Sequence, residues 1–322
     1  GVQTCALPIS PYEFTPMWMN YLNRKVQKLP NRSKTLMLGT FGVKRNTSYL
    51  IDLPIIVLLK MMETKRPAEK FMNFSNVPLK ALARGEKNQR QIMINADNIF
   101  ILGNWAAELT KQYYPTIAHK IKAIGGGVNI DVSKIEYSKK MNNKFLFIGR
   151  DFLRKGGDLV LQAFNHLNKN NDYELHIAGI DRETLREIYQ KSDNPYDHKG
   201  IFIYGDISKD EVSELYNLCD VFCMPTRFEA YGLVFCEALC YGLPIVALNK
   251  WEMPYIIDHR KTGYLVENDD HLTFANAMYE VITNQDYRKN VRSKKDFYLQ
   301  TFSWDTVVEK ILCEMDVDTN LE

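Results

Sequence analysis

What most constrains this chain is a pattern in its second half, where short, wholly apolar runs alternate with stretches of helical period. Lys144-Phe145-Leu146-Phe147-Ile148-Gly149-Arg150, Glu174-Leu175-His176-Ile177-Ala178-Gly179, Gly200 to Gly205 with Ile201-Phe202-Ile203 at its centre, Asp220-Val221-Phe222-Cys223-Met224-Pro225 and Leu243-Pro244-Ile245-Val246-Ala247 read as strands. Between them Asp158 to Leu167, Asp210 to Leu218 and Gly232 to Cys240 read as helices, the last closed by Gly242. A strand apolar on both faces needs cover on both faces, and helices between consecutive strands supply it. The expected class is therefore α/β, with doubly wound parallel sheets. Ligands of such sheets bind beyond the carboxyl ends of the strands, so chemistry is expected in the loops after Ile148, Ala178, Ile203 and Met224.

The first half alternates less clearly. Lys34 to Thr40 reads as a strand ending at Gly39, Ala96 to Gly103 as another, and Trp105 to Tyr113 as a helix stopped by Pro115. Lys120 to Ile124 is a strand that runs into Gly125-Gly126-Gly127. Three successive glycines hold regular structure poorly, which places a domain boundary there. The 322 residues accommodate two domains of ordinary size. There is no initiator Met, and Gly1 to Ile9 reads as the conceptual translation of a sequencing adapter. The expected organisation is an artefactual 1–9, a truncated first domain over 10–127, a second domain over 128–295, and a C-terminal helix over 296–322 that packs back toward the first domain.

Composition excludes several classes. With 45% hydrophobic and 25% charged residues the chain reads as an ordinary globular protein. Its longest apolar run, Leu53 to Leu59, is ended by Lys60 and falls short of the roughly 18 residues of a spanning helix, so it is a short buried helix or strand. Six cysteines make no disulfide framework in a chain of this length, and reduced thiols fit a cytoplasmic protein. Charge is uneven: residues 10–127 carry 18 Lys and Arg against 7 Asp and Glu, a net of +11, which leaves −9 for the rest of the chain. Two readings stay open. The basic half meets an anionic partner, such as a phosphorylated acceptor or the inner face of a membrane, or it is a solvated face.

Three strand-end loops are informative together. Gly149-Arg150 follows the Ile148 strand, with Lys155-Gly156 just beyond; Pro225-Thr226-Arg227-Phe228-Glu229-Ala230-Tyr231-Gly232-Leu233 follows the Met224 strand. Glu237 lies on the helix that Gly232 opens, and helix side chains tilt toward the N-terminus, so it leans back toward the loop of Glu229. Two carboxylates then converge on a helix N-terminus that favours anions. That mixture suits a sugar nucleotide better than a metal: amides and two cations for a diphosphate, carboxylates for ribose and hexose hydroxyls. The Cys219-x3-Cys223 and Cys236-x3-Cys240 pairs resemble zinc spacings, but on an extended chain the first pair stands about 13 Å apart. They read better as small buried hydrophobes.

From Phe145 to Val266 the ordered set resembles the group 1, retaining GT-B glycosyltransferases. Gly149-Arg150, Lys155-Gly156, Pro225-Thr226, Glu229, Gly232, Glu237 and Gly242-Leu243-Pro244-Ile245 match that family's motifs in order, as do Thr262-Gly263-Tyr264-Leu265-Val266 and Phe302-Ser303-Trp304-Asp305. Ile124-Gly125-Gly126-Gly127-Val128 resembles its interdomain segment. The resemblance implies two Rossmann-like domains facing a cleft, the first incomplete. It implies transfer of a hexosyl group from a nucleoside diphosphate sugar to a glycan or glycolipid hydroxyl, with retention, no cofactor and no metal. By position, Arg150 and Lys155 would bind the donor diphosphate and Glu229 the transferred sugar, these three being the catalytic set. Glu237 would accept from the ribose, and Gly149 and the amides of Ala230, Tyr231, Gly232 and Leu233 would complete the donor site. No nucleic-acid partner is implied.

The chain departs from the family at four places, one of them the absence of the family's early Gly-rich loop. Ala230-Tyr231 stand where Gly-Phe is common, and Trp251-Glu252 precede Met253-Pro254 where Gly-Gly is common. All six histidines lie at position 119 or beyond, so the first-domain His of many relatives has no counterpart in Leu36 to Thr40. His166, His176 and His198 have no partner legible in the sequence. The rival readings are a catalytically inactive sugar-nucleotide-binding subunit, and an epimerase or phosphorylase of the same architecture. An epimerase needs further acid/base residues in the cleft.

Overall fold

The computed structural model describes residues 35–38, 47–63, 78–137, 141–190 and 199–316. The adapter-like Gly1 to Ile9, the Gly39-Thr40 end of the first strand and His198 lie outside them. Two compact units are present. One comprises Gly1–Gly125 with Val308–Glu322, the other Gly126–Val307, so the division falls within the glycine triplet and within the last helix.

The first unit holds strands β1 (Thr35–Leu38) and β2 (Thr47–Ile51), helices α1 (Ile55–Glu63) and α2 (Leu79–Asn95), strand β3 (Ile99–Ile101), helix α3 (Asn104–Tyr113) and strand β4 (Ile121–Ala123). Its sheet runs β1-β2-β3-β4, parallel throughout. The apolar run from Leu53 is a helix, because Pro54 cannot donate within a sheet but sits readily ahead of a first turn. The first N–H of that turn, on Ile55, donates to the buried Oε1 of Gln89 on α2, 2.7 Å away. Helix α2 was not legible in the sequence. It has no side-chain cap, and its buried positions, Leu82, Gly85, Gln89, Ile92 and Met93, include a glycine and an amide among the apolar residues.

The second unit holds β5 (Lys144–Ile148), α4 (Gly157–Leu167), β6 (Glu174–Ala178), α5 (Arg182–Gln190), β7 (Ile201–Ile203), α6 (Lys209–Leu218), β8 (Val221–Cys223), α7 (Leu233–Cys240), β9 (Ile245–Leu248), α8 (Met253–Ile256), β10 (Gly263–Val266), α9 (His271–Thr283), α10 (Gln285–Ser293), α11 (Lys295–Thr301) and the first turn of α12 (Trp304–Glu314). Every strand read from the sequence here is present, each within one or two residues. The sheet order is β10-β9-β8-β5-β6-β7, all parallel. Phe145, Leu146, Phe147, Val221, Phe222, Ile245 and Val246 are fully buried, as a sheet covered on both faces requires.

The order decides the position of the site. The chain starts in the centre at β5, winds outward to β7, then returns to β8 on the other side of β5 and winds outward again. Beyond the carboxyl ends of β5 and β8 the connections diverge, and the crevice they leave is where an open α/β sheet takes its ligand.

Candidate active site

The two loops that flank this crevice are those singled out in the sequence. After β5 the chain passes Gly149 and Arg150 and turns at Gly156 into α4. Gly156 adopts a left-handed φ of 76°, and an added Cβ would strike the Pro225 carbonyl, so this close approach of the two loops needs glycine. After β8 the chain runs from Pro225 to Gly232, whose φ of 90° caps α7 without a side chain. An added Cβ at Gly232 would lie 3.0 Å from Glu229 Cγ.

The loops are laced to each other. Arg227 N–H donates to the Arg154 carbonyl at 2.8 Å, and Arg154 Nη1 donates to the Phe228 carbonyl at 2.8 Å. Lys155 Nζ pairs directly with Glu229 Oε2. Their side chains are only 15% and 14% exposed, which makes the pair less screened than an ordinary surface salt bridge. Thr226, fully buried, donates from its hydroxyl to the Phe228 carbonyl at 2.9 Å.

Arg150 is placed differently. Its side chain is 83% exposed and its Nε donates to Asp206 Oδ1 at 3.1 Å. The structure therefore brings Lys155, Glu229 and the N-terminus of α7 together, and leaves Arg150 extended into solvent at the edge of the group. A further cation, Arg154, was not singled out from the sequence. It is 20% exposed and its Nη1 stands 4.0 Å from Glu229 Oε2.

Glu237 lies one turn and a half into α7. A carboxylate in this mostly apolar helix needs a polar partner, and a ligand hydroxyl is a good one. The chain supplies its own: Tyr216 on α6, fully buried and stacked on Tyr241 with ring centroids 4.9 Å apart, donates to Glu237 Oε2 at 3.1 Å. Burial raises the Glu237 pKa, and the Tyr216 hydroxyl and Lys209 oppose the rise. The same Tyr216 oxygen is 3.2 Å from the Val234 carbonyl, an alternative acceptor for its proton. Tyr216 was missed because nothing in its local sequence marks it; it meets Glu237 only because α6 and α7 are neighbours.

The departures from the family's pattern each have a local consequence. Tyr231 is buried with its ring against Gly126, and a tyrosine there places a hydroxyl where the family's Phe has none. Trp251 takes φ 58°, an uncommon conformation for so bulky a residue and one that the family's glycine meets freely. Its indole N–H donates to the Arg227 carbonyl at 2.9 Å and its ring meets Phe228 edge-on at 5.5 Å, contacts that hold the strained turn. His176 does have partners: its Nδ1 is 2.7 Å from the Tyr204 hydroxyl and its Nε2 is 3.0 Å from Glu174 Oε2. The Tyr204 contact follows from the β6–β7 register and was invisible to one-dimensional reading, whereas Glu174 stands two residues before His176 on the same face of β6. Cys219, Cys223, Cys236 and Cys240 are buried free thiols, and burial pushes all four thiols up. Among the described residues no group of three or more His, Cys, Asp or Glu is placed to hold a metal ion.

Residues 130–296 match the family of glycosyl transferases group 1. The chain belongs to that family. An uncharacterised 41.2 kDa protein in the cps region of Klebsiella pneumoniae is 30% identical over 173 residues, 51% of this chain and 45% of that protein. A GDP-mannose-dependent alpha-(1-6)-phosphatidylinositol monomannoside mannosyltransferase of Mycobacterium tuberculosis is 28% identical over 169 residues, 49% of this chain and 43% of that protein. The chain thus spans about half the length of the curated relatives it matches. Among solved structures, sucrose-phosphate synthase from Thermosynechococcus elongatus superposes with a TM-score of 0.67 at 16% identity, over 93% of this chain and 77% of that one. The architecture is GT-B, with two Rossmann-like α/β units. Among the described residues no helix is long and apolar enough to cross a membrane.

Proposed function

We propose that this group 1 family member is a retaining, metal-independent hexosyltransferase that uses a nucleoside diphosphate sugar. The observation that carries the reading is the crevice at the β5/β8 reversal, where Lys155, Glu229 and the N-terminus of α7 converge and Glu237 stands behind them. Each part has a chemical role. The N-terminus of α7 and Lys155 hold the diphosphate, whose negative charge grows as the bond to the sugar breaks. Glu229 accepts from a sugar hydroxyl through the oxygen that Lys155 leaves open, and Glu237 accepts from the ribose. Arg150, extended at the rim, closes on the diphosphate when the donor binds. The acceptor hydroxyl attacks the anomeric carbon on the face from which the diphosphate departs. Its proton passes to a leaving phosphate oxygen, so the C–O bond to phosphate breaks as the new C–O bond forms, and no protein nucleophile or divalent cation takes part.

The relatives' names support the donor class: one depends on GDP-mannose and acts on a phosphatidylinositol mannoside. The acceptor of this chain is accordingly read as a surface glycan or glycolipid, met by a cytoplasmic enzyme at the inner face of a membrane. The test is transfer from radiolabelled UDP- and GDP-hexoses to a lipid extract, with and without excess EDTA. Transfer undiminished by EDTA, with the anomeric configuration kept in the product, is expected. Activity that vanishes in EDTA and returns with Mg²⁺ or Mn²⁺ overturns the metal-free mechanism, and an inverted product overturns retention.

A further inference from the structure

Arg227 lies two residues before Glu229, in a loop that faces the crevice, yet its side chain is turned away from the ligand position. The guanidinium has five N–H donors, and all five are engaged by the protein. Nη1 and Nη2 donate to the two oxygens of Asp158 at 2.6 and 2.9 Å, a parallel fork onto the first turn of α4. Nε and the second Nη2 proton donate to the two oxygens of Asp269, ahead of α9, at 2.7 and 3.2 Å. The second Nη1 proton goes to the Leu153 carbonyl. Along the backbone, Arg227 N–H donates to Arg154 and its carbonyl accepts from the Trp251 indole. The side chain is 12% exposed.

We propose that Arg227 is a positioning residue for the transfer: it pins the loop that carries Glu229 to four separate elements and so sets where the Glu229 carboxylate meets the transferred sugar. The inference rests on the donor-site reading above. With every donor engaged, Arg227 has none to offer a phosphate, which separates it from Lys155 and Arg150. The links converge on the residues just before Glu229. Thr226 and Arg154 both donate to the Phe228 carbonyl, and Trp251 packs on the Phe228 ring, so residues 226–228 are held on every side and Glu229 leaves this fixed stem toward Lys155. A lysine at 227 keeps the charge and loses the two planar forks. A loop released by a fraction of an ångström weakens contacts with the sugar, while the N-terminus of α7 and Glu237, which serve the nucleotide, stay where α7 puts them.

Calorimetric titration of the full chain with UDP, GDP, UDP-glucose and GDP-mannose tests this, comparing wild type with Arg227→Lys and Asp269→Asn. The readout is the ratio of affinities for a sugar nucleotide and its parent diphosphate, which a loss of fold stability alone does not move. Arg227→Lys is expected to shift that ratio about tenfold against the sugar nucleotide, the loss of roughly one hydrogen bond to a charged group, with diphosphate affinity kept. Asp269→Asn, which leaves the Asp158 fork intact, is expected to shift it in the same direction by less, and it decides the matter if Arg227→Lys does not fold. A wild-type ratio preserved in every folded variant overturns the positioning role alone. A wild type that binds none of the four ligands overturns the donor-site reading and this inference with it.

Discussion

The two α/β units are built from the same parts and differ in how the chain winds through them. In the first unit the described strands follow chain order, β1-β2-β3-β4, so successive connections all step one way. In the second the order reverses between β5 and β8, and the crevice opens at that reversal. Among the described residues the two parallel sheets thus differ in strand order rather than in strand composition. Charge follows the opposite division: residues 10–127 carry the net +11, while the crevice of the second unit holds Lys155, Arg154 and their carboxylate partners in near balance. Under the proposed reading, the second unit grips a small polyanion at a defined point and the first meets a diffuse anionic surface.

The sharpest way to break this comparison is to separate the units. A fragment spanning Gly126–Val307 is expected to bind nucleoside diphosphate as the whole chain does, and titration should find no such site in the remainder. A shorter fragment beginning at Asn142 loses Tyr137, whose hydroxyl donates to the Cys240 carbonyl at 2.9 Å and whose ring lies against Gly242. Residues 126–141 also hold the bond from Val128 N–H to the Phe302 carbonyl and the Lys134 and Glu136 bonds with Asn217, so the shorter fragment's unfolding free energy in urea should fall by more than about 2 kcal/mol. Diphosphate binding confined to the first unit would reverse the assignment.

Within the second unit, Lys155→Ala should lower kcat by about 10²–10³, as when one preorganised group facing developing charge is deleted. The melting temperature should move little, because the loop remains laced by Arg154 and Arg227. Full activity in this variant would shift the role to Arg150.

The two carboxylates should differ by a smaller and more specific amount. Glu237→Gln is expected to weaken sugar nucleotide and nucleoside diphosphate alike by about 10–100-fold, the worth of a hydrogen bond to a charged group. Glu229→Gln should spare the diphosphate and impair transfer. Burial raises the Glu237 pKa above its ordinary value, so the folded chain keeps its proton at pH values where an unfolded chain has released it. Its contribution to stability therefore falls as pH rises through that window, whereas donor affinity, which needs the carboxylate, falls as pH drops through it. Titration of a sugar nucleotide as the pH is lowered from neutrality checks this: affinity should decline in wild type at a higher pH than an unperturbed carboxylate would give, and stay flat in Glu237→Gln.

The smallest and most salt-sensitive effect belongs to the first unit. The chain should sediment with vesicles containing anionic lipid at low ionic strength and be released at 1 M salt, where the screening length falls to about 3 Å. No sedimentation at low salt leaves the solvated-face reading standing.

Much of this was legible in one dimension, and the particular residues show why. Continuous apolar strands such as Phe145-Leu146-Phe147 announce a sheet covered on both faces, because no other arrangement hides both sides of an extended segment. Gly156 and Gly232 announce turns, since a left-handed backbone tolerates little else. Lys155, Glu229 and Glu237 could be named because spacing along a loop and a helix fixes which way short segments face. Tertiary structure alone decided the rest. Tyr216 reaches Glu237, and Tyr204 reaches His176, across elements whose adjacency is a property of packing. Arg150 and Lys155 looked equivalent as cations after a strand; the turn at Gly156 buries one against Glu229 and leaves the other in solvent. Nothing in the sequence assigned Arg227 a role, and only the convergence of Asp158, Asp269 and Trp251 turns it inward. Local sequence determines the conformation of a segment and the chemistry it carries, whereas the partner of each group is set by which segments the core brings together.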